Sequence, residues 1–147
     1  MIYSIFLLSV IALTMVPVST DIASEFVPHA LEFSKLCKCS YADKHVVIKF
    51  ADLSPGVAGE CTRYVNNISK VVTKRLIKID RKVWSYLDEV EKSNLIFHES
   101  LHCLYDREHT TTVLEDGCPA SFMHYQILSP KCLEDHWYEY VDEMFKK

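Results

Sequence analysis

His98-Glu99-Ser100-Leu101-His102 constrains this chain more than any other segment, because imidazoles four residues apart share a face only on a helix. One turn apart, the two rings are close enough to hold a single metal ion. Glu99 sits about 100° further round the helix, outside the ligand set but able to hold a water beside the metal. The flanking residues suit a half-buried helix. Leu95, Ile96, Leu101, Cys103, Leu104 and Tyr105 recur at helical spacing over residues 89–106, no Gly or Pro intervenes, and Ser93 is a candidate start cap. Histidines in such a helix need partners, either core hydrogen bonds or a metal.

His109 is the candidate third ligand. On a continuing helix it would lie about 10 Å beyond His102, too far for a shared ion at roughly 2 Å per bond. Ligation by His109 therefore requires the helix to stop near Tyr105-Asp106 and the chain to turn back, and Asp tolerates the left-handed conformation such a turn uses. Asp106 is a weaker alternative ligand, because an unbroken helix would set it about 12 Å from His98 along the axis. The carboxylate of Asp106 or Glu108 could instead orient a ligand imidazole.

The run from His98 to His109, followed by Ser121-Phe122-Met123-His124-Tyr125, resembles the metzincin zinc peptidases, whose zinc motif precedes a methionine-containing turn beneath the metal. The S-x-M-H-Y form is similar to that of the astacin branch. Two features depart from the metzincin pattern. The third His follows the second by seven residues rather than six with no Gly at the turn, and thirteen residues separate His109 from Met123, fewer than usual. The chain more closely resembles small bacterial and phage-type metallopeptidases, which share the seven-residue spacing, an Arg-acidic-His ending (Arg107-Glu108-His109), an S-x-M element and an aromatic-rich C-terminal helix, here His136 to Phe145. That likeness extends to Gly59-Glu60-Cys61 and to Ile77-Lys78-Ile79-Asp80 before Trp84.

The resemblance implies one Zn2+ per chain on His98, His102 and His109, Glu99 as general base, and peptide or protein substrates. Three neutral imidazoles would leave the ion its full charge and an open position, where a water is acidified towards pH 7. Glu99 would take the proton and pass it to the leaving amine. Tyr125 stands where the astacin-type tyrosine stabilises the tetrahedral intermediate, and Met123 where a methionine packs beneath the metal. His124, His136, Tyr138 and Tyr140 are candidates to line the cleft or, as aromatics of an amphipathic helix, to pack on the core.

A chain of 147 residues with net charge −4 suits one domain, and without a basic stripe it is not expected to bind nucleic acid. Residues 2–18 are apolar and charge returns at Asp21, so residues 1–20 read as a signal peptide, or as an anchor if uncleaved, ahead of a single domain at 21–147. The expectation is a secreted or periplasmic monomer, associated with a membrane only through an uncleaved anchor. The six cysteines at 37, 39, 61, 103, 118 and 132 favour three disulfides, with fifteen pairings open. Cys37 and Cys39 are close enough in sequence that each is expected to pair elsewhere. A Cys118–Cys132 bond would close the loop that carries Met123, and the absence of a C-x-x-C pair argues against a Cys-rich second zinc site. Asn67-Ile68-Ser69 fits a glycosylation acceptor.

The remaining pattern predicts a helix over Ile22 to Leu36, with Pro28 in its first turns, and strands at His45 to Phe50, Thr62 to Val65 and Val71 to Ile79. A loop spans Asp52 to Gly59. A short helix is predicted over Lys82 to Glu91, leading into the histidine helix, and a closing helix over Leu133 to Phe145. The class is α+β, a small twisted sheet with helices packed on it. Two rival readings are a non-catalytic exported binding or effector protein that keeps zinc as a staple, and a disulfide-stapled module without metal.

Overall fold

The computed structural model describes residues 21–146, so the leader or anchor expected at 1–20 lies outside the described residues. The fold is α+β. Strands β1 (Val46–Ala51), β2 (Gly59–Val65) and β3 (Val72–Asp80) form a mixed sheet in the order β1-β3-β2, with β3 parallel to β1 and antiparallel to β2. Alternation along the strands turns Val46 and Ile48 of β1, and Ile77 and Ile79 of β3, into the core. Ile48 pairs in register with Ile77, and Ile77 with Cys61, which sets one apolar row across all three strands.

Helix α1 (Val27–Cys37) begins later than the predicted Ile22. Pro28 has no amide to give and settles into the first turn, while Ile22 joins the sheet instead, bridging Ile48. The single helix predicted over Lys82 to Glu91 is also two. Asp80 caps α2 (Arg81–Trp84) by accepting from the Val83 amide. Asp88 caps α3 (Glu89–Tyr105), accepting from the Glu91 amide while Glu91 accepts from the Asp88 amide. This reciprocal pair outcompetes Ser93 as the start signal. The Ser93 hydroxyl instead accepts from His29 Nδ1 at 2.8 Å and donates to Glu32 at 2.9 Å, tying α1 to α3.

Helix α4 (Pro130–Met144) is capped by Ser129 and departs from helical geometry at His136. A line of buried rings joins the helices: Phe33 to Phe97 at 5.4 Å, Phe97 to Phe122 at 5.5 Å and Phe122 to Tyr140 at 5.5 Å. Arg75 of β3 donates to the Cys103 carbonyl at 2.9 Å, and Ser100 accepts from the Tyr41 hydroxyl while donating to the Ile96 carbonyl. These contacts fix α3 as the central helix.

Three disulfides close the structure. Cys118–Cys132 brackets the Met123 loop as expected, and Cys61–Cys103 ties β2 to α3. Cys37 and Cys39 pair with each other, against the sequence expectation. Lys38 between them takes a left-handed conformation (φ 51°), which folds the two Cα atoms to 5.2 Å, within disulfide range. Among the described residues no helix is long and apolar enough to cross a membrane.

Candidate metal centre

Helix α3 ends at Tyr105 because Asp106 adopts the left-handed conformation (φ 56°), its amide bonding back to the Leu101 carbonyl. The chain then reverses and carries His109 to the other two histidines. The three Nε2 atoms form a near-equilateral triangle: 3.1 Å between His98 and His102, and 3.0 Å from each of these to His109. The Asp106 carboxylate turns away and pairs with Arg63.

Tautomers decide what this triangle can hold. His98 Nδ1 lies 2.6 Å from the Phe122 carbonyl oxygen, and His102 Nδ1 lies 2.6 Å from that of Arg107. A carbonyl oxygen only accepts, so both Nδ1 atoms carry the proton and, in a neutral ring, both Nε2 atoms present lone pairs. Burial keeps the rings neutral, holding the His98 imidazole down to about 4 and lowering that of His102. Two lone pairs therefore face each other, and one proton on His109 could satisfy only one of its two neighbours. A divalent cation satisfies all three. Nitrogens bound to a tetrahedral zinc stand roughly 3.3 Å apart, close to the observed spacing, so the residues fit such an ion. Backbone carbonyls orient the rings in place of the expected carboxylates of Asp106 or Glu108, because the turn after α3 and the Met123 turn deliver peptide oxygens directly behind them.

Glu99, one residue past His98, is buried at 4% exposure beside a cleft of about 370 Å³ that His98, His109, His124 and Tyr125 also line. Burial pushes its carboxyl up to about 8, with the negative charge of Glu60 adding to the effect. Gly59, at the start of β2, makes room for this side chain: a Cβ there would stand 2.6 Å from Glu99 Oε1. Gly59, expected at the end of the Asp52 to Gly59 loop, instead opens β2. A glycine in a strand often marks a close approach.

A family model described as "Putative phage metallopeptidase" matches residues 18–123, well over half of the chain, including all three histidines and Glu99. The chain belongs to this family. No curated protein and no solved structure matches it. Membership gives the class, a metallopeptidase, and implies a metal ion and peptide or protein substrates.

In this phage-family metallopeptidase the segment Ser121 to Tyr125 forms a tight turn under the histidines. The Ser121 hydroxyl accepts from the Met123 amide at 2.9 Å, and the Met123 carbonyl accepts from the Thr110 amide at 2.9 Å, joining the turn to the strand-like segment after His109. Met123 is fully buried. Tyr125 stands at the cleft rim, 62% exposed, with the buried His124 ring stacked on it at 4.4 Å. Of the other expected lining residues only His124 reaches the cleft. His136 pairs with Asp116, Tyr138 faces solvent, and Tyr140 is buried, donating to the Pro119 carbonyl at 2.7 Å.

Proposed function

We propose that this metallopeptidase is an exported, zinc-dependent endopeptidase in which His98, His102 and His109 hold the ion and Glu99 is the general base. The observation that carries the reading is the pair of lone-pair nitrogens on His98 and His102, fixed by carbonyl partners and converging with His109. Three imidazoles in a triangle suit zinc better than calcium or magnesium, which prefer oxygen donors. When bound, zinc supplies a Lewis acid that acidifies a water and polarises the scissile carbonyl.

Glu99 accepts a proton from the attacking water and delivers it to the leaving amine nitrogen. A dication held by the three histidines would draw the raised pKa of Glu99 back down and favour its ionised carboxylate. The low-dielectric cleft wall that raised the pKa keeps the base strong. The Tyr125 hydroxyl, at the exposed rim of the cleft, stabilises charge on the former carbonyl oxygen. The cleft runs along Val57 and Ala58 to Gly59, the first residue of β2, an edge strand of the sheet, which suits an extended peptide. In this reading the protein acts as a monomer.

Export rests on three disulfides and on the apolar run at residues 2–18, read as a signal peptide before a single domain at 21–147. The test combines zinc stoichiometry with cleavage of an unstructured protein. Wild type should bind about one equivalent and hydrolyse. Glu99→Gln should keep the metal and lose hydrolysis, and His109→Ala should lose both. A metal content below about half an equivalent at neutral pH would overturn the reading. A wild type as inactive as Glu99→Gln, with zinc bound, would favour a non-catalytic zinc-stapled protein.

A further inference from the structure

A second group of metal-binding side chains lies away from the histidine triangle. Asp116, Cys118 and His136 bring a carboxylate oxygen, a sulfur and a ring nitrogen within 4.8 Å of one another. Cys132, bonded to Cys118, brings a second sulfur beside this group. We propose that Asp116, Cys118, Cys132 and His136 form a second zinc site in the dithiol form of the protein. A small disulfide oxidant converts it by thiol–disulfide exchange into the Cys118–Cys132 bond, the oxidant leaving as two thiols and the zinc being released.

The placement of each donor supports this. Cys132 and His136 are four residues apart on α4, so their side chains share a face. Asp116 and Cys118 flank Gly117, whose positive φ (86°) turns the loop so that both reach that face. His136 leaves helical geometry inside α4 and puts its Nε2 2.7 Å from Asp116 Oδ2. Asp116 Oδ1 meanwhile accepts from the Cys118 amide at 3.0 Å, which anchors the carboxylate next to the sulfur. Both cysteines are buried, so their sulfurs are shielded from competing ligands.

Two thiolates, one imidazole and one carboxylate form a tetrahedral zinc set. Thiolates on one zinc stand about 3.8 Å apart, a separation that side-chain rotation reaches from Cα atoms 5.6 Å apart. The conversion balances simply. A dithiol reductant gives two electrons and two protons to the S–S bond and becomes a disulfide itself. Zinc then displaces the two thiol protons and binds both thiolates. Either closure brackets the loop carrying Ser121 to Tyr125, so the floor of the histidine triangle is pinned before and after oxidation.

Protein reduced by a dithiol in the absence of oxygen is alkylated with iodoacetamide, with and without zinc, and each cysteine is followed by mass spectrometry. Zinc should slow alkylation of Cys118 and Cys132 by about tenfold or more, while Cys37 and Cys39 are unaffected. His136→Ala and Asp116→Asn leave all six cysteines in place and should abolish the protection. Cobalt in place of zinc should give a thiolate-to-metal charge-transfer band in reduced wild type, absent from reduced His136→Ala. The charge-transfer band is blind to His98, His102 and His109, which contribute no sulfur. Loss of protection in His136→Ala and Asp116→Asn separates the second site from zinc that protects buried cysteines by stabilising the fold at the triangle. Equal alkylation with and without zinc, protection that survives both variants, or a reduced chain that stays unfolded in zinc would overturn the proposal.

Discussion

The Arg107 guanidinium donates to the carboxylate of Glu143, and this pair links α4 to both turns that aim the histidines. Arg107 also donates to the carbonyls of Glu143 and Met144, at 3.1 and 2.8 Å. Its own carbonyl holds His102. The second Glu143 oxygen accepts from the Ser121 hydroxyl at 2.6 Å, and Ser121 fixes the turn whose Phe122 carbonyl holds His98. One carboxylate on the last turn of α4 thereby positions two rings contributed by α3.

Removing either partner should loosen the triangle without touching a ligand. Arg107→Ala and Glu143→Ala should each weaken metal affinity by about 10–100-fold, the usual consequence of losing an outer partner. The pair is 22% and 27% exposed, so the accompanying loss of stability is about 1.5–3 kcal/mol. Glu143→Gln still accepts from Ser121 and should be milder. Competition against a chelator measures the affinity, and unchanged values in both alanine variants would refute the link.

Gly59→Ala tests the position of the carboxylate. The added methyl would meet Glu99 Oε1 at 2.6 Å, and the side chain would have to swing away from its place in the cleft wall. Hydrolysis should fall by about 10²-fold or more, within the range for a displaced general base, while the bound metal stays. Activity and zinc content measured on the same preparation separate this outcome from a general loss of fold.

The disulfides should differ in worth according to the loop each one closes. Cys61–Cys103 spans 42 residues and Cys37–Cys39 only 2. Loop-closure entropy puts the first at about 4 kcal/mol and the second at about 1.2 kcal/mol. Paired Cys→Ala replacements compared by denaturant unfolding check the ordering. A larger loss at Cys37–Cys39 would mean that the 38–45 loop carries more of the fold than its length implies.

How much of this was legible in the residues depends on the range of the interaction involved. The stop at Asp106 could be read because only a reversal there lets His109 join His98 and His102, and that geometric demand outweighs helix propensity. The start of α3 was missed although Asp88 and Glu91 spell a capping box, because Ser93 offered a competing cap nearer the histidines. Cys37–Cys39 was missed because spacing alone does not reveal the left-handed Lys38 that makes the bond possible. Arg107, Ser121 and Glu143 are 14 or more residues apart, and no local periodicity brings them together. The carbonyls behind His98 and His102 are backbone groups, which a reading of side-chain chemistry passes over in favour of nearby carboxylates.

Acid should weaken the fold through His29. Its ring is buried between α1 and α3, with Nδ1 donating to Ser93 and Nε2 3.7 Å from a Glu89 oxygen. Burial lowers its pKa from the ordinary 6.5, outweighing the opposite pull of Glu89 and Glu32, while Lys92 lowers it further. The unfolded chain therefore binds this proton at a higher pH than the folded one. Stability is intact above about pH 6.5 and declines as the solution is acidified below it. His29→Asn keeps an amide that can donate to Ser93 but cannot titrate, so its stability should fall less steeply between about pH 5 and 6.5. Denaturant midpoints of zinc-loaded wild type and variant across that range give the comparison. Parallel curves would mean that the pull of Glu89 and Glu32 cancels the effect of burial at this ring, and would refute the prediction.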